Sequence, residues 1–133
     1  MSNDKLNRII KDGETMNKST LADLKLPNRF EAKLKRDIDY LLAYEGLALE
    51  KIILFGSCAR GDYKVTSDID LLVVTSLSTL RYIRGDIASE LDEAIDGVRT
   101  DVIFYGREVF ETSDSLLMRQ VRKEGVMLYD ALQ

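Results

Sequence analysis

The chain has 133 residues, one cysteine, no histidine and a formal net charge of −4. This length predicts a single domain. The lone cysteine excludes an internal disulfide, and the lack of histidine excludes imidazole catalysis and the usual zinc sites. Because the basic residues are scattered through an acidic chain, a broad nucleic-acid-binding surface is not expected.

No segment of the sequence predicts export or membrane insertion. The apolar stretches fall short of the ~18 residues that a membrane helix needs, and the N-terminal residues are polar. We therefore expect a cytoplasmic protein that makes no membrane contact.

The first 26 residues are polar and irregular. They predict an N-terminal arm of open role ahead of a domain over residues 27–133. Within the arm a short helix is expected over residues 5–11. The candidates for docking on the body of the domain are Leu21, Leu24 and Leu26.

The next element is a predicted helix over residues 28–44. Asn28 and Glu31 have the spacing of a capping box, with Asn28 as the N-cap. Charged residues such as Lys33 are expected on a solvated face, and Gly46 closes the helix. Apolar residues at helical spacing define the buried face: Phe30, Leu34, Ile38, Leu41 and Leu42.

Two apolar runs, residues 51–55 and 69–74, predict strands. The loop between them is too short for a crossover helix, so the strands should pair antiparallel. The second run opens with Asp68 and Asp70, which point to one face because strand side chains alternate. Adjacent carboxylates repel each other, and all-oxygen ligands suit Mg²⁺ or Mn²⁺. The pattern indicates a divalent-metal site, although an Asp-x-Asp pair alone is more often a solvated strand end.

The loop between these strands begins with Gly56 and Ser57, and their turn exposes backbone N–H groups to an anion. A helical turn just after them would direct its N-terminus at phosphates. Arg60 either reaches a phosphate as a fork of donors or pairs with Asp62, and the sequence favours neither. Phosphate ligands on one side and metal carboxylates on the other predict a nucleoside triphosphate site.

The second strand is followed by a predicted helix, capped by Ser76 or Ser78 and ending near residue 95, and by a strand over residues 99–105. In that strand, one face carries Asp101, Ile103 and Tyr105. Three predicted elements complete the chain: a short helix over 107–112, a helix capped by Ser113 or Asp114 and ending at Glu124, and an edge strand over 126–129.

Gly56-Ser57, ten intervening residues and Asp68-Ile69-Asp70 resemble the signature of the DNA polymerase beta-like nucleotidyltransferase superfamily, and within it the minimal nucleotidyltransferases. The resemblance covers residues 51–130 and includes the ending Arg-Lys-Glu-Gly-Val-Met-Leu-Tyr. It implies an α/β (α+β) fold with a palm-like core. That core is a small mixed sheet of about four strands with helices packed on one face.

The resemblance also implies an activity, the transfer of a nucleoside monophosphate, with AMP from ATP expected, onto an acceptor while pyrophosphate leaves. Asp68 and Asp70 would hold two Mg²⁺ ions. The family's third aspartate would fall at Asp101. The alternative is that Asp101 is only a polar residue at the end of a strand. The residues that bind the nucleotide would be Gly56, Ser57, Arg60 and Ser67.

Stand-alone members of this family often work beside a helical HEPN protein, as the antitoxin that adds AMP to a tyrosine of the toxin. The resemblance therefore implies a HEPN-family partner. Two alternatives stay open. One is a regulatory module that binds nucleotide and neutralises a partner by contact, without transfer. The other is an antibiotic-modifying transferase in which a homodimer builds the acceptor wall. The sequence leaves the nucleotide base, the acceptor and the oligomeric state open.

Overall fold

The computed structural model describes residues 23–132, so the helix expected over 5–11 and the docking candidate Leu21 lie outside the described residues. The elements follow one another as α1 (Asn28–Ala43), β1 (Leu49–Phe55), α2 (Ser57–Arg60), β2 (Ile69–Thr75), α3 (Arg81–Leu91), β3 (Thr100–Gly106), α4 (Arg107–Thr112), α5 (Leu116–Glu124) and β4 (Val126–Asp130). None of these helices is long and apolar enough to cross a membrane.

The four strands form one mixed sheet in the order β3-β2-β1-β4. β1 pairs antiparallel with β2 and with β4, whereas β2 and β3 are parallel. α3 connects the parallel strands β2 and β3, because a parallel pair needs a crossover connection. β4 lies at an edge of the sheet, as predicted. The predicted mixed α/β fold and the antiparallel pairing of the first two strands are confirmed.

Helices cover both faces of the sheet, which corrects the expectation of helices on one face. On one face α1 and α3 pack their apolar residues against Ile52, Leu54, Leu71 and Val73. On the other face Phe110, Met118 and Val121 of α4 and α5 pack against the intervening residues of β1 and β2. The reason lies in the sequence of these strands, since consecutive residues that are all apolar need cover on both sides.

The end of the N-terminal arm docks on the first of these two cores. Leu24 and Leu26 pack against it, as predicted. The Tyr63 hydroxyl donates a hydrogen bond to the Lys25 carbonyl at 3.0 Å. The arm therefore meets the loop between β1 and β2, while its boundary with the domain at residue 26 stays a prediction.

The solvated face predicted for α1 is wrong at Lys33, which is fully buried. Its ammonium donates to Asp37 Oδ1 at 2.7 Å, to the Leu91 carbonyl at 2.8 Å and to Thr100 Oγ1 at 3.0 Å. The Thr100 hydroxyl donates in turn to the second oxygen of Asp37. A buried ion pair is tolerated when its polar atoms are satisfied in this way. The network ties α1 to the end of α3 and the start of β3.

Two predicted helix caps differ in the structure. Asn28 lies inside the first turn of α1, and Pro27 occupies the N-cap without a side-chain hydrogen bond. The helix α3 begins at Arg81, with Leu80 at its N-cap, instead of starting from Ser76 or Ser78. The N-cap residues Pro27 and Leu80 have ψ values of 153° and 147°, and neither helix start has a side-chain cap hydrogen bond.

The start of α5 is also displaced from its prediction. Its N-cap is Ser115, whose hydroxyl accepts a hydrogen bond from the Met118 N–H at 3.2 Å. The predicted cap Asp114 instead pairs with Arg119, at 2.9 Å. The helix ends at Glu124, as predicted.

Candidate active site

The sheet topology brings three predicted segments together at one edge. Because β1 and β2 are antiparallel, the end of β1 lies beside the start of β2, and Phe55 is paired with Asp70. Because β2 and β3 are parallel, their starts are adjacent, and Asp70 is paired with Asp101. The Gly56 turn, the Asp-x-Asp segment and the third aspartate therefore meet at this edge.

The alternation of side chains settles which face they occupy. Ile103 and Tyr105 pack against the core formed with α4 and α5, so Asp101, two residues before Ile103, lies on that face of β3. Leu72 belongs to the same core, which places Asp70 on the same face of β2. The predicted faces of the third strand are thus confirmed.

Gly56 touches Asp70 so closely that no side chain would fit. Its φ of +79° lies in the left-handed region, and an added Cβ would stand 2.3 Å from Asp70 Oδ2. The Asp70 carboxylate therefore lies directly against the backbone of the turn. This single contact joins the proposed phosphate and metal parts of the site.

Burial and neighbouring charges disfavour the ionised form of Asp70. Asp70 is half-buried, whereas Asp68 and Asp101 are exposed. Burial, together with the charges of Asp101 and Asp68, raises the pKa of Asp70 to about 6. Neighbouring carboxylates disfavour one another's ionised forms unless a cation compensates them.

The carboxylates suit a hard divalent cation by chemistry, although they are not a preformed cluster. Across residues 23–132, no group of three or more His, Cys, Asp and Glu side chains is placed to hold a metal ion. The observation that fits a cation is the raised pKa of Asp70, because a bound cation would favour its ionised form. Asp68, Asp70 and Asp101 are the residues that would hold it.

A single helical turn, α2, follows the Gly-Ser turn. The Gly56 carbonyl accepts hydrogen bonds from the N–H groups of Ala59 and Arg60, at 3.1 and 3.0 Å. Gly61, with a φ of +89°, ends the helix and donates its N–H to the Ser57 carbonyl. The predicted helical turn is present, and it starts at Ser57.

Arg60 pairs with two carboxylates. Its Nε donates to Asp62 at 3.2 Å, which is one of the two alternatives predicted for it. Its Nη1 also donates to both oxygens of Glu124, at 3.0 and 3.2 Å. The guanidinium is held beside the turn by both acidic partners.

Glu124 is the residue of this site that the sequence reasoning missed. Its Oε2 accepts a hydrogen bond from the Gly56 N–H at 2.8 Å, and its side chain is only 12% exposed. The available signal was its place before Gly125 in the C-terminal segment that resembles the family. It joins the last residue of α5 to the turn after β1.

Ser67 and Cys58 hold the loop together. The Ser67 hydroxyl oxygen accepts a hydrogen bond from the Lys64 N–H at 2.7 Å, and its own N–H donates to the Lys64 carbonyl. Cys58 is buried, and its sulfur lies 3.6 Å from the Asp68 carbonyl oxygen. Burial raises the pKa of the Cys58 thiol to about 11, so it stays protonated near neutral pH.

An open cavity of about 640 Å³ lies between α2 and α5. The three aspartates are not part of its wall, so the cavity does not contain the proposed metal position. The side chains that line it are Ala59, Arg60, Arg119, Gln120, Lys123 and Glu124.

Comparison with known proteins defines the class. Residues 34–127 match the family described as the nucleotidyltransferase domain, and the chain belongs to this family. A protein of Methanocaldococcus jannaschii that carries the provisional name protein adenylyltransferase is 34% identical over 109 residues. The match covers 74% of this chain and 97% of that relative.

Solved structures share the fold. A crystal structure of a toxin–antitoxin with AMP-PNP superposes with a TM-score of 0.54 at 28% identity, covering 72% of this chain and 73% of the other. A toxin–antitoxin MntA–HpeT mutant, with two aspartates two positions apart replaced by glutamate, gives a TM-score of 0.53 at 26% identity. The coverage is again 72% and 73%. The mixed α/β fold with a four-stranded sheet predicted from the sequence is thus confirmed by similarity as well as by topology.

Proposed function

We propose that this chain is a Mg²⁺-dependent nucleotidyltransferase that moves AMP from ATP onto a partner protein. The observation that carries the proposal is the meeting of the Gly56 turn with Asp70 and Asp101 at one edge of the sheet. Such a site needs only to position two substrates and to offset charge, as is general for phosphoryl transfer.

The proposed roles follow from the position of each residue. Asp68, Asp70 and Asp101 would hold divalent cations, two Mg²⁺ ions or Mn²⁺ in their place. When bound, these would supply charge neutralisation for the departing pyrophosphate and activation of the acceptor oxygen. The aspartate pair in the MntA–HpeT mutant has the same spacing as Asp68 and Asp70, which supports their assignment.

The nucleotide side of the site is built on the turn. Gly56 and Ser57 bind the β and γ phosphates through backbone and hydroxyl groups. Arg60 supplies a cationic fork within reach of the same position. Ser67 acts with them by holding the loop closed, since its side chain caps the turn at Lys64.

In the reaction, the acceptor hydroxyl attacks the α-phosphorus and a new oxygen–phosphorus bond forms. The bond between the α-phosphorus and the bridging oxygen breaks, and pyrophosphate leaves with that electron pair. The proton of the hydroxyl passes to Asp101, which is exposed and therefore open to an acceptor. Asp70 stays on the inner side, against the turn.

The partner is a protein, and we infer a HEPN-family toxin for which this chain is the antitoxin. Three findings support this step. The M. jannaschii relative carries the provisional name protein adenylyltransferase, a similar toxin–antitoxin was solved with AMP-PNP, and the sequence motifs resemble those of the minimal nucleotidyltransferases. A cytoplasmic location fits this role.

The test uses α-labelled ATP with Mg²⁺, with and without the product of the neighbouring gene as the candidate partner. The variants are the wild type, Asp70→Asn and a control, Asp39→Asn, which changes an exposed aspartate on α1. We expect label on the partner with the wild type and with the control. Asp70→Asn should lose at least about 100-fold in rate, and EDTA should abolish transfer.

Each result separates the candidate functions. Competition by the other nucleoside triphosphates gives the base preference. If ATP binds but no protein becomes labelled, the regulatory module that neutralises its partner by contact replaces the enzyme. If label appears on a small aminoglycoside-type acceptor instead, the antibiotic-modifying homodimer replaces the antitoxin.

A further inference from the structure

Glu124 occupies the position at the turn where an anion is expected. The Gly56 N–H, a donor of the Gly-Ser turn, is engaged by Glu124 Oε2 at 2.8 Å. The Arg60 guanidinium contacts both oxygens of the same carboxylate. In an anion site, a phosphate oxygen likewise contacts a backbone N–H donor and a cationic side chain. The carboxylate thus imitates a bound phosphate.

The position of Glu124 is fixed by the packing of the residue after it. A Cβ added to Gly125 would stand 2.5 Å from the Val121 carbonyl oxygen and 2.9 Å from Ile53 Cγ2. The end of α5 therefore lies directly on β1, and only glycine allows this approach. Because Glu124 is the last residue of α5, this close packing delivers its side chain to the turn at the end of the same strand.

Glu124 and a phosphate cannot share these donors. The Gly56 N–H has one hydrogen to give. Arg60 already pairs with Asp62 through Nε, so a phosphate beside Glu124 would place a third negative group on one guanidinium. Arg60 is suited to change partners, since its planar fork binds carboxylate and phosphate with similar geometry. An exchange of Glu124 for phosphate therefore keeps the donors paired in both states.

We propose that Glu124 is a built-in competitor for the β and γ phosphates, which sets the affinity of the site for nucleoside triphosphates. This role of Glu124 rests on the proposed function, because it takes the turn at Gly56 as the site of the β and γ phosphates. The carboxylate holds the turn and Arg60 in their binding positions in the empty site and withdraws when the triphosphate arrives. A ligand that lacks the β and γ phosphates does not displace it.

The test measures Kd for ATP and for AMP by titration calorimetry in Mg²⁺, comparing the wild type with Glu124→Gln. Glutamine removes the charge while its amide oxygen still accepts from the Gly56 N–H. We expect ATP to bind about tenfold more tightly and AMP to bind as it does to the wild type. Equal thermal unfolding temperatures would show that the fold is kept.

Glu90→Gln is the matched control. Glu90 also pairs with an arginine, Arg36 at 3.2 Å, and lies on α3, which packs on the opposite face of the sheet. This variant removes the same charge far from the turn, and its Kd for ATP should equal that of the wild type. Glu124→Asp is the second variant, because its shorter side chain withdraws the carboxylate from Gly56 and should also tighten ATP.

Opposite outcomes overturn the proposal. Unchanged or weaker ATP binding by Glu124→Gln would make Glu124 only a brace for the turn. An equal gain for ATP and AMP would show a general charge effect without competition for the β and γ phosphates. Failure of both the wild type and Glu124→Gln to bind ATP would remove the proposed function as well, whereas binding only after the substitution would support the competition.

Discussion

Asp70→Asn should stabilise the metal-free protein at neutral pH. Burial and the neighbouring carboxylates raise the pKa of Asp70 from 3.8 to about 6. Below pH 3.8 the group is protonated in both the folded and the unfolded chain, so it contributes no difference. Between pH 3.8 and 6 the unfolded chain releases the proton while the folded chain keeps it, and stability falls as the pH rises.

The magnitude follows from the size of the shift. About two pKa units at ~1.4 kcal/mol each give ~3 kcal/mol, and the partial exposure of Asp70 reduces this to about 2 kcal/mol. Asparagine has the same shape and carries no charge, so it removes the penalty without altering the contact with Gly56. Above pH 6 the gain in free energy of unfolding should stay constant.

Urea unfolding in EDTA at pH 4 and pH 8 measures the effect, with Asp39→Asn as the exposed control. The two proteins should be equally stable at pH 4, and Asp70→Asn should be more stable at pH 8. Added Mg²⁺ should reverse the order, because Asp70→Asn lacks one of the three carboxylates that would hold the cation and gains less from binding it. A wild type that equals or exceeds Asp70→Asn at pH 8 in EDTA would refute the idea that ionised Asp70 is disfavoured.

Three further substitutions test the contacts that shape the site and its support. Gly56→Ala should destabilise the fold by about 2–3 kcal/mol and abolish ATP binding. The control Gly46→Ala shares the left-handed φ but has open space around it, so a loss above about 1 kcal/mol there would mean that the clash with Asp70 is not the cause. Lys33→Ala should cost about 3–5 kcal/mol in urea unfolding, because it leaves Asp37 buried without its cation. The double change Lys33→Met with Asp37→Leu should recover most of that loss, and no recovery would contradict the ion-pair argument. Ser115→Ala should cost about 1 kcal/mol by removing the cap of α5, whereas equal effects of Ser115→Ala and Ser78→Ala on thermal unfolding would refute the cap assignment.

Local patterns in the sequence were enough to predict the sheet. Apolar runs fixed both central strands to within two residues, and the short loop between them fixed their antiparallel pairing. Period-two alternation also placed Asp101 on the correct face of its strand. These features depend on neighbouring residues and on chain length, so a single sequence carries them.

The features that were missed depend on partners far away in the chain. From the sequence, Lys33 is expected at the surface. Its burial depends on contacts with Leu91 and Thr100, which are 58 and 67 residues away. From the sequence, Glu124 is expected to be only the last residue of a helix. The packing of Gly125 places it beside Gly56, which is 68 residues away. Hydrophobic periodicity contains no information on such pairings.

The cap of α5 shows a different limit, because here the competing signals are local. Ser113, Asp114 and Ser115 are consecutive and all are favourable N-cap residues. Ser115 is the N-cap, because Asp114 pairs with Arg119 and because the helix must place Met118 and Val121 in the core. Packing thus decides among caps of similar intrinsic strength.

The charges around Asp70 connect these observations to binding. Asp68, Asp101 and Glu124 all disfavour its ionised form, whereas Arg60 favours it. A site so rich in carboxylates would repel a triphosphate until cations enter, and burial and neighbouring charges disfavour ionisation of Asp70. Cations and nucleotide should therefore bind cooperatively, each lowering the electrostatic cost of the other. Withdrawal of Glu124 would add to this coupling, since it removes a negative charge from the turn as the phosphates arrive.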